Sequence, residues 1–195
     1  MLTAVCVLWV DRPLARVIAR AFPPDQTLPD APDLLVAFVA GISILALAAW
    51  PWARRRGYPR LERLAPLVAV GEPLALALKD LSKWAFGRTE ARMALSTHGY
   101  AGFHHWFHGY PPFMSFPSGH MLVATALLSL ITAVYPRVRP LAVLLLAALG
   151  AALILTSYHF LGDVLAGWLV GQLFARLILR VDAALRPEAA LRTPR

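Results

Sequence analysis

The chain has 195 residues, of which 58% are hydrophobic and only 15% charged, with a net charge of +8 and a single cysteine. Soluble domains carry about 25% charged residues, so this composition, with its positive mean hydropathy, excludes an ordinary soluble domain. Cys6 alone excludes an internal disulfide and a thiolate metal cluster; the arginines lie between apolar segments, so topology and lipid headgroups explain the basic charge better than nucleic acid does.

Residues 1–10 are apolar, lack a basic leader and are interrupted by Asp11-Arg12-Pro13, so they do not read as a cleaved signal. Arg12, Arg16 and Arg20 recur every four residues opposite Leu14, Val17, Ile18 and Ala21, which predicts an amphipathic helix in the membrane interface. A span through residues 1–22 would bury several arginines and is the less favoured alternative, making six spans rather than five. A Pro- and Asp-rich linker, Phe22–Asp33, follows. Five stretches then read as transmembrane helices: roughly Leu34–Trp52, Leu64–Phe86, His120–Tyr135, Leu141–Tyr158 and Asp163–Val181. The expectation is an all-α integral membrane bundle forming one domain. Residues 1–32 supply the interfacial helix and linker, 33–181 the bundle and 182–195 a cytoplasmic tail.

Arg54, Arg55, Arg56, Arg60 and Arg63 fill the first inter-helix loop, Arg137 and Arg139 the third, and Arg176, Arg180, Arg186, Arg192 and Arg195 lie in or near the tail. In a five-span arrangement all fall on one side, which the positive-inside rule makes cytoplasmic. Trp50, Trp52 and Trp84 sit near span ends, as in an aromatic belt. The same arrangement brings Lys83 and Arg88, the sequence Pro117-Ser118-Gly119-His120, and His159 with Asp163 to the opposite, outer face.

Each cluster has its own chemistry. Ser118 can cap the helix that follows or donate its hydroxyl, and Gly119 lets a ligand approach the backbone. Unpaired N–H groups there favour a phosphate, and His120 in the first turn can protonate a leaving oxygen. His159 and Asp163 stand four apart, neighbours if they share a helical turn. A carboxylate on one imidazole nitrogen fixes the tautomer and frees the other nitrogen to attack phosphorus. Glu72, Lys79 and Lys83 share a helix face. Lys83 can neutralise a phosphate, and Arg88 can grip one if the chain turns back at Gly87. An ion pair with Glu72 or Asp80 competes with phosphate for Lys79. His98, His104, His105 and His108 crowd the outer loop. His104 and His108 have metal-ligand spacing, but no nearby acid or cysteine completes a site, so solvated loop or headgroup contacts are favoured and no metal is expected. Gly167 and Gly171 fit close helix packing.

The order of these clusters resembles the type-2 phosphatidic acid phosphatase superfamily, which includes lipid phosphate phosphatases and vanadium haloperoxidases. The resemblance runs from about Lys79 to Gly171. Pro117–His120 matches the second motif in full, His159 and Asp163 the third, and the segment from Lys79 to Arg88 more loosely the first. The resemblance implies a multi-pass bacterial inner-membrane protein whose site faces the periplasm or cell exterior. It implies His159 as nucleophile, Asp163 as its orienter and His120 as acid. Ser118, Gly119, Lys83 and Arg88 would hold phosphoryl oxygens, without metal or cofactor. The implied substrate is a lipid phosphate or diphosphate: phosphatidic acid, phosphatidylglycerol phosphate or undecaprenyl diphosphate. A lipid phosphotransferase with the same intermediate, or a non-catalytic anionic-lipid-binding protein, are the alternatives.

Two departures stand out. The family separates the Lys and Arg of its first motif by six residues and follows the Arg with Pro, whereas Lys83 lies five before Arg88 and Thr89 follows. The Arg expected six residues before the third-motif His is Leu153. Its loss removes a phosphate clamp, for which Arg92 or a loop histidine is the available substitute.

Overall fold

Within a bilayer, only a helix satisfies the backbone of a single apolar segment. The long apolar segments are all helical in the computed structural model, which describes residues 2–23, 32–96, 102–107 and 113–186. Helix α1 (Leu2–Val5) continues through a π-helical turn (Cys6–Val10) into α2 (Asp11–Ala21). Then come α3 (Pro32–Arg56), α4 (Pro59–Ala85), a hairpin of β1 (Phe86–Arg88) and β2 (Phe103–Trp106) flanking α5 (Ala91–Ser96), α6 (Gly119–Val134), α7 (Arg139–Leu155) and α8 (Leu161–Leu185). The architecture is the expected all-α membrane bundle. Helices α3, α7 and α8 have the length and apolarity to cross a membrane. Helix α6 is apolar but has 16 residues, and α4 has 27 but carries Glu62, Glu72, Lys79, Asp80 and Lys83.

Helix α4 runs beside α3 and against α6, and α6 packs on α8. Between α3, α4 and α6 the core is Val39, Ala75, Leu122, Val123 and Ala126. Deeper, Leu67, Leu130, Val134 and Ala175 join α4, α6 and α8. The α6–α8 contact depends on two glycines. A Cβ on Gly167 would lie 2.4 Å from the Ser118 carbonyl oxygen, and one on Gly171 2.5 Å from that of Leu122. At the arginine-rich end, Asp182 accepts from Arg63 Nε at 3.1 Å and pairs with Arg186 at 3.2 Å, tying the start of α4 to the end of α8. Leu45, Val143, Leu144 and Leu177 face outward, as lipid contact permits.

Three features differ from the sequence expectation. The stretch after Gly87 carries the hairpin and α5 rather than a plain loop, with Phe86 opposite Trp106 and Arg88 opposite Phe103. Aromatic edges hold it: the Phe86 ring lies 5.3 Å from Trp106 and 5.4 Å from Phe116. Glu72 and Lys79 share a face but do not pair, because seven residues rise about 10 Å along a helix. Lys79 instead meets Asp80 at 2.7 Å, and Glu72 is buried with neither carboxyl oxygen bonded to a described residue. Finally, α2 does not merely lie in the interface. Arg12, Arg16 and Arg20 are exposed, but Asp11 is buried against the bundle. The linker residues 24–31 and the end of the tail lie outside the described residues, as do His98 and His108.

Close packing at the glycines sets a test. Gly171→Ala should destabilise the detergent-solubilised protein by about 1–3 kcal/mol, since backbone must shift to admit the methyl group. Gly41→Ala, where a Cβ meets nothing within 4 Å, should be neutral or stabilising by up to about 1 kcal/mol through helix propensity. Thermal unfolding of the two variants checks both.

Candidate active site

The site lies at the end of the bundle opposite Arg54–Arg63 and Arg137–Arg139, where α4 ends, α6 and α8 begin, and α7 turns into α8. Ser118 caps α6, its hydroxyl accepting from the Met121 N–H at 3.5 Å. Its own N–H donates to the Asp163 carbonyl at 3.0 Å, joining the starts of α6 and α8. The next residue must be glycine because the Lys79 stem crosses it: a Cβ on Gly119 would lie 2.6 Å from Lys79 Cδ. His120 follows in the first turn.

His159 is delivered by a tight turn rather than by a helix. Ser157 takes a φ of 53°, and the N–H groups of Tyr158 and His159 both donate to the Leu153 carbonyl, at 3.0 and 3.1 Å. Asp163, in the first turn of α8, accepts from the Phe160 N–H at 3.1 Å. The i, i+4 spacing thus reflects a helix-capping turn, and the Asp163 Oδ2 to His159 Nδ1 separation is 3.6 Å, too long for a hydrogen bond. Ser115 stands between them. Its hydroxyl donates to Asp163 Oδ2 at 2.6 Å and lies 3.4 Å from His159 Nδ1. With that single proton committed to the carboxylate, the Ser115 oxygen presents a lone pair to the ring, which assigns the imidazole proton to Nδ1. His159 Nε2 is buried and bonds to no described residue. It is the ring atom with a lone pair to offer.

A cavity of about 210 Å³ opens beside this ring. Lys79, Lys83, Arg92, His120, Tyr158 and His159 line it, with Asp80, Glu90, Gly119 and Ser115 also on its wall. Lys83 makes no ion pair with a described residue, whereas Lys79 is held by Asp80. The Arg92 guanidinium lies 4.8 Å from the centroid of the Tyr158 ring, a cation–π distance.

Two expected phosphate ligands sit elsewhere. Ser118 is fully buried as a cap, off the cavity wall. Arg88 is also fully buried behind Asp163. Its Nη1 bonds Asp163 Oδ1, its Nη2 bonds Asp11 Oδ2 at 2.7 Å, and its guanidinium lies 4.5 Å from the centroid of the Phe160 ring. The chain does turn back at Gly87, but toward carboxylates and not toward the cavity. Leu153 is buried with Met121 and Val164 and contributes its carbonyl alone to the site.

Ordered histidine, cationic cavity and the helix cap between them occur on a segment that matches the model of a known family over residues 66–187. The chain belongs to the PAP2 superfamily. No curated protein and no solved structure matches it. Superfamily membership implies phosphatase-type chemistry on phosphate esters, in keeping with the membrane bundle.

Sequence reasoning missed Ser115 and Asp11. Ser115 lies only two residues before Pro117, but nothing local marks it. Asp11 had a signal: it falls three and seven residues before Leu14 and Ile18, on the helix face that should be apolar. Ser115 offers a direct test. Ser115→Ala leaves Asp163 and His159 in place without their bridging hydroxyl. A hydrogen bond to a charged group contributes about 1.5–3 kcal/mol, so phosphate-ester turnover should fall about 10–100-fold, with less change in KM, in steady-state phosphate-release assays.

Proposed function

We propose that this PAP2 superfamily member is an integral-membrane lipid phosphatase working through a phosphohistidine. The observation that carries the reading is His159 Nε2: a buried ring nitrogen bonded to no described residue, on the same cavity wall as His120, Lys83 and Arg92. In the first step the Nε2 lone pair forms a bond to phosphorus, and the ester P–O bond breaks. The departing oxygen takes its electron pair and receives a proton from His120. In the second step water attacks phosphorus, His120 accepts its proton, and the N–P bond breaks to release phosphate. Lys83, Arg92 and, in part, Lys79 neutralise the phosphoryl oxygens. The Gly119 backbone at the start of α6 lies at the positive end of a helix. Ser115 and Asp163 stabilise the positive charge that develops on His159. No step requires a metal ion.

A lipid substrate is favoured because the cavity lies at the end of a membrane bundle that also carries exposed Trp84 and Trp106, a residue type that settles at bilayer interfaces. Leu35 on its wall offers an apolar contact for a chain. Phosphatidic acid, phosphatidylglycerol phosphate and undecaprenyl diphosphate all present a terminal phosphate on a membrane-anchored stem. The arginine-rich loops at the far end of the bundle favour an extracytoplasmic site by the positive-inside rule.

The test is phosphate release from these three lipids in mixed micelles, together with alkali-quenched reactions using a 32P-labelled terminal phosphate. Wild-type protein should trap label in an acid-labile, base-stable form, and His159→Ala should trap none and release none. His120→Ala should lose about 10²–10⁴-fold in turnover. Label in the His159 variant, or wild-type rates in both, overturns the mechanism. Burial pushes the His159 imidazole below its ordinary value of 6.5, prevailing over the opposing pull of Asp163. Attack needs the neutral ring, so activity is present above the lowered value and lost as pH falls through it. The acidic limb of kcat/KM should therefore lie below pH 6.5.

A further inference from the structure

The Asp11 carboxylate comes from the N-terminal helix, far in sequence from every polar residue of the cavity, yet it is 1% exposed. Both its oxygens are used. Oδ2 accepts from Arg88 Nη2 at 2.7 Å, and Oδ1 accepts from the Gly162 N–H at 2.8 Å. Packing here is too close for any side chain but hydrogen: a Cβ on Gly162 would lie 2.6 Å from Asp11 Oδ2 and 2.8 Å from Val7 Cγ2. Both partners of Asp11 also act on the position of Asp163. Gly162 is its backbone neighbour, and Arg88 binds its Oδ1. Arg88 also accepts the Ser115 N–H on its carbonyl at 3.1 Å, so one residue fixes both members of the hydroxyl–carboxylate pair behind His159.

From this geometry we infer that Asp11 is a positioning residue for the His159–Ser115–Asp163 relay, acting through Arg88, and that the N-terminal helix is a working part of the site. The inference rests on the histidine chemistry proposed above. Its physical basis is the allocation of a buried guanidinium. Arg88 divides its fork between two carboxylates, one nitrogen to each. Without the Asp11 charge, the whole guanidinium is left to Asp163, a bidentate partner that matches a carboxylate well. Asp163 would then turn toward Arg88 and away from Ser115. The charge changes too. Asp11, Arg88 and Asp163 together carry one net negative charge, and that charge supports a positive His159. Burial pushes the Asp11 carboxyl up, and the Arg88 guanidinium draws it back. Around this cluster, Cys6 faces Asp11 from the π-helical turn, and Lys83 from α4 and His120 from α6 face His159.

Asp11→Asn should lower kcat on dioctanoyl phosphatidic acid in detergent micelles about 10–100-fold, the scale of a lost charge-assisted contact, with KM within about twofold because Asp11 does not line the cavity. The acidic limb of kcat/KM should move to lower pH, since removing a negative charge favours the neutral ring. Asp11→Glu, which keeps the charge, should recover a substantial part of kcat. Arg16→Gln with Arg20→Gln, on the exposed face of the same helix, should leave kcat and the limb unchanged. A purely anchoring role for the helix predicts the reverse pattern: loss in the arginine variant and none in Asp11→Asn. Either that pattern or a loss in Asp11→Asn without movement of the limb overturns the inference. The titration of His159 followed by 15N NMR needs no turnover. If wild-type protein releases no phosphate, the phosphatase reading fails, while a downward shift of the His159 midpoint in Asp11→Asn still supports the coupling, and an unmoved midpoint refutes it.

Discussion

A guanidinium cannot be buried at the end of an apolar bundle unless its charge is answered nearby. Desolvating an ion costs several kcal/mol even after the protein relaxes, and Arg88 is fully buried. Its answer is two carboxylates from opposite ends of the chain, Asp11 and Asp163. The rest of the site follows from that pairing. It overcompensates the arginine, leaving the region behind His159 negative, while on the cavity wall in front of it Lys79, Lys83 and Arg92 outnumber Asp80 and Glu90. The imidazole therefore sits across a field: Nδ1 faces the anionic cluster through Ser115, and Nε2 faces the side where an anion would be held. That polarisation makes a proton on Nδ1 and a lone pair on Nε2 the consistent assignment.

Such an arrangement works only if its members are held still, and the bundle supplies the rigidity. Gly167 and Gly171 let the backbones of α6 and α8 meet without intervening side chains, and the Ser118 N–H then bonds the Asp163 carbonyl directly. The cap of one helix and the first turn of the other become one unit. Below it, leucines, valines and alanines interlock α3, α4 and α6, and the Asp182 ion pairs close the opposite end. The hairpin aromatics Phe86, Phe103 and Trp106, packed together and against Phe116, flank the strand that carries Arg88.

Local chemistry was legible in the sequence, and contacts that depend on a chain reversal were not. Helix α6 could be placed because Pro117, Ser118 and Gly119 form a start signal immediately before an apolar run. The grouping of His120, His159 and Lys83 at one end needed only helix count and arginine positions. Local sequence directs Arg88 to the phosphate, because nothing near it announces the hairpin that carries it behind Asp163. Ser115 bridges across 44 residues and Asp11 reaches across 151, separations at which neither periodicity nor motif spacing carries information. The seven-residue spacing of Glu72 and Lys79 was read correctly as a shared face. A shared face two turns apart is still not a contact, and the adjacent Asp80 captured the lysine instead.

Leu153 and Arg88 together explain where the cavity draws its positive charge. At the position where the family carries an arginine before its histidine, a leucine fills the space between α6, α7 and α8 as a core residue. An arginine there would have to displace Met121 and Val164 or lie unpaired among them, which the interior cannot support. Arg88 is committed to carboxylates. Among the described residues, the lysine and arginine side chains on the cavity wall therefore come from α4 and α5, as Lys79, Lys83 and Arg92. Lysines act as point charges on flexible stems, whereas arginine imposes a planar fork. A wall with two lysines and one arginine resting on Tyr158 neutralises an anion without demanding one fixed orientation. The geometric precision of the site resides instead in the histidine: Ser115, itself bonded to Asp163, faces its ring, and the Leu153 carbonyl holds its backbone.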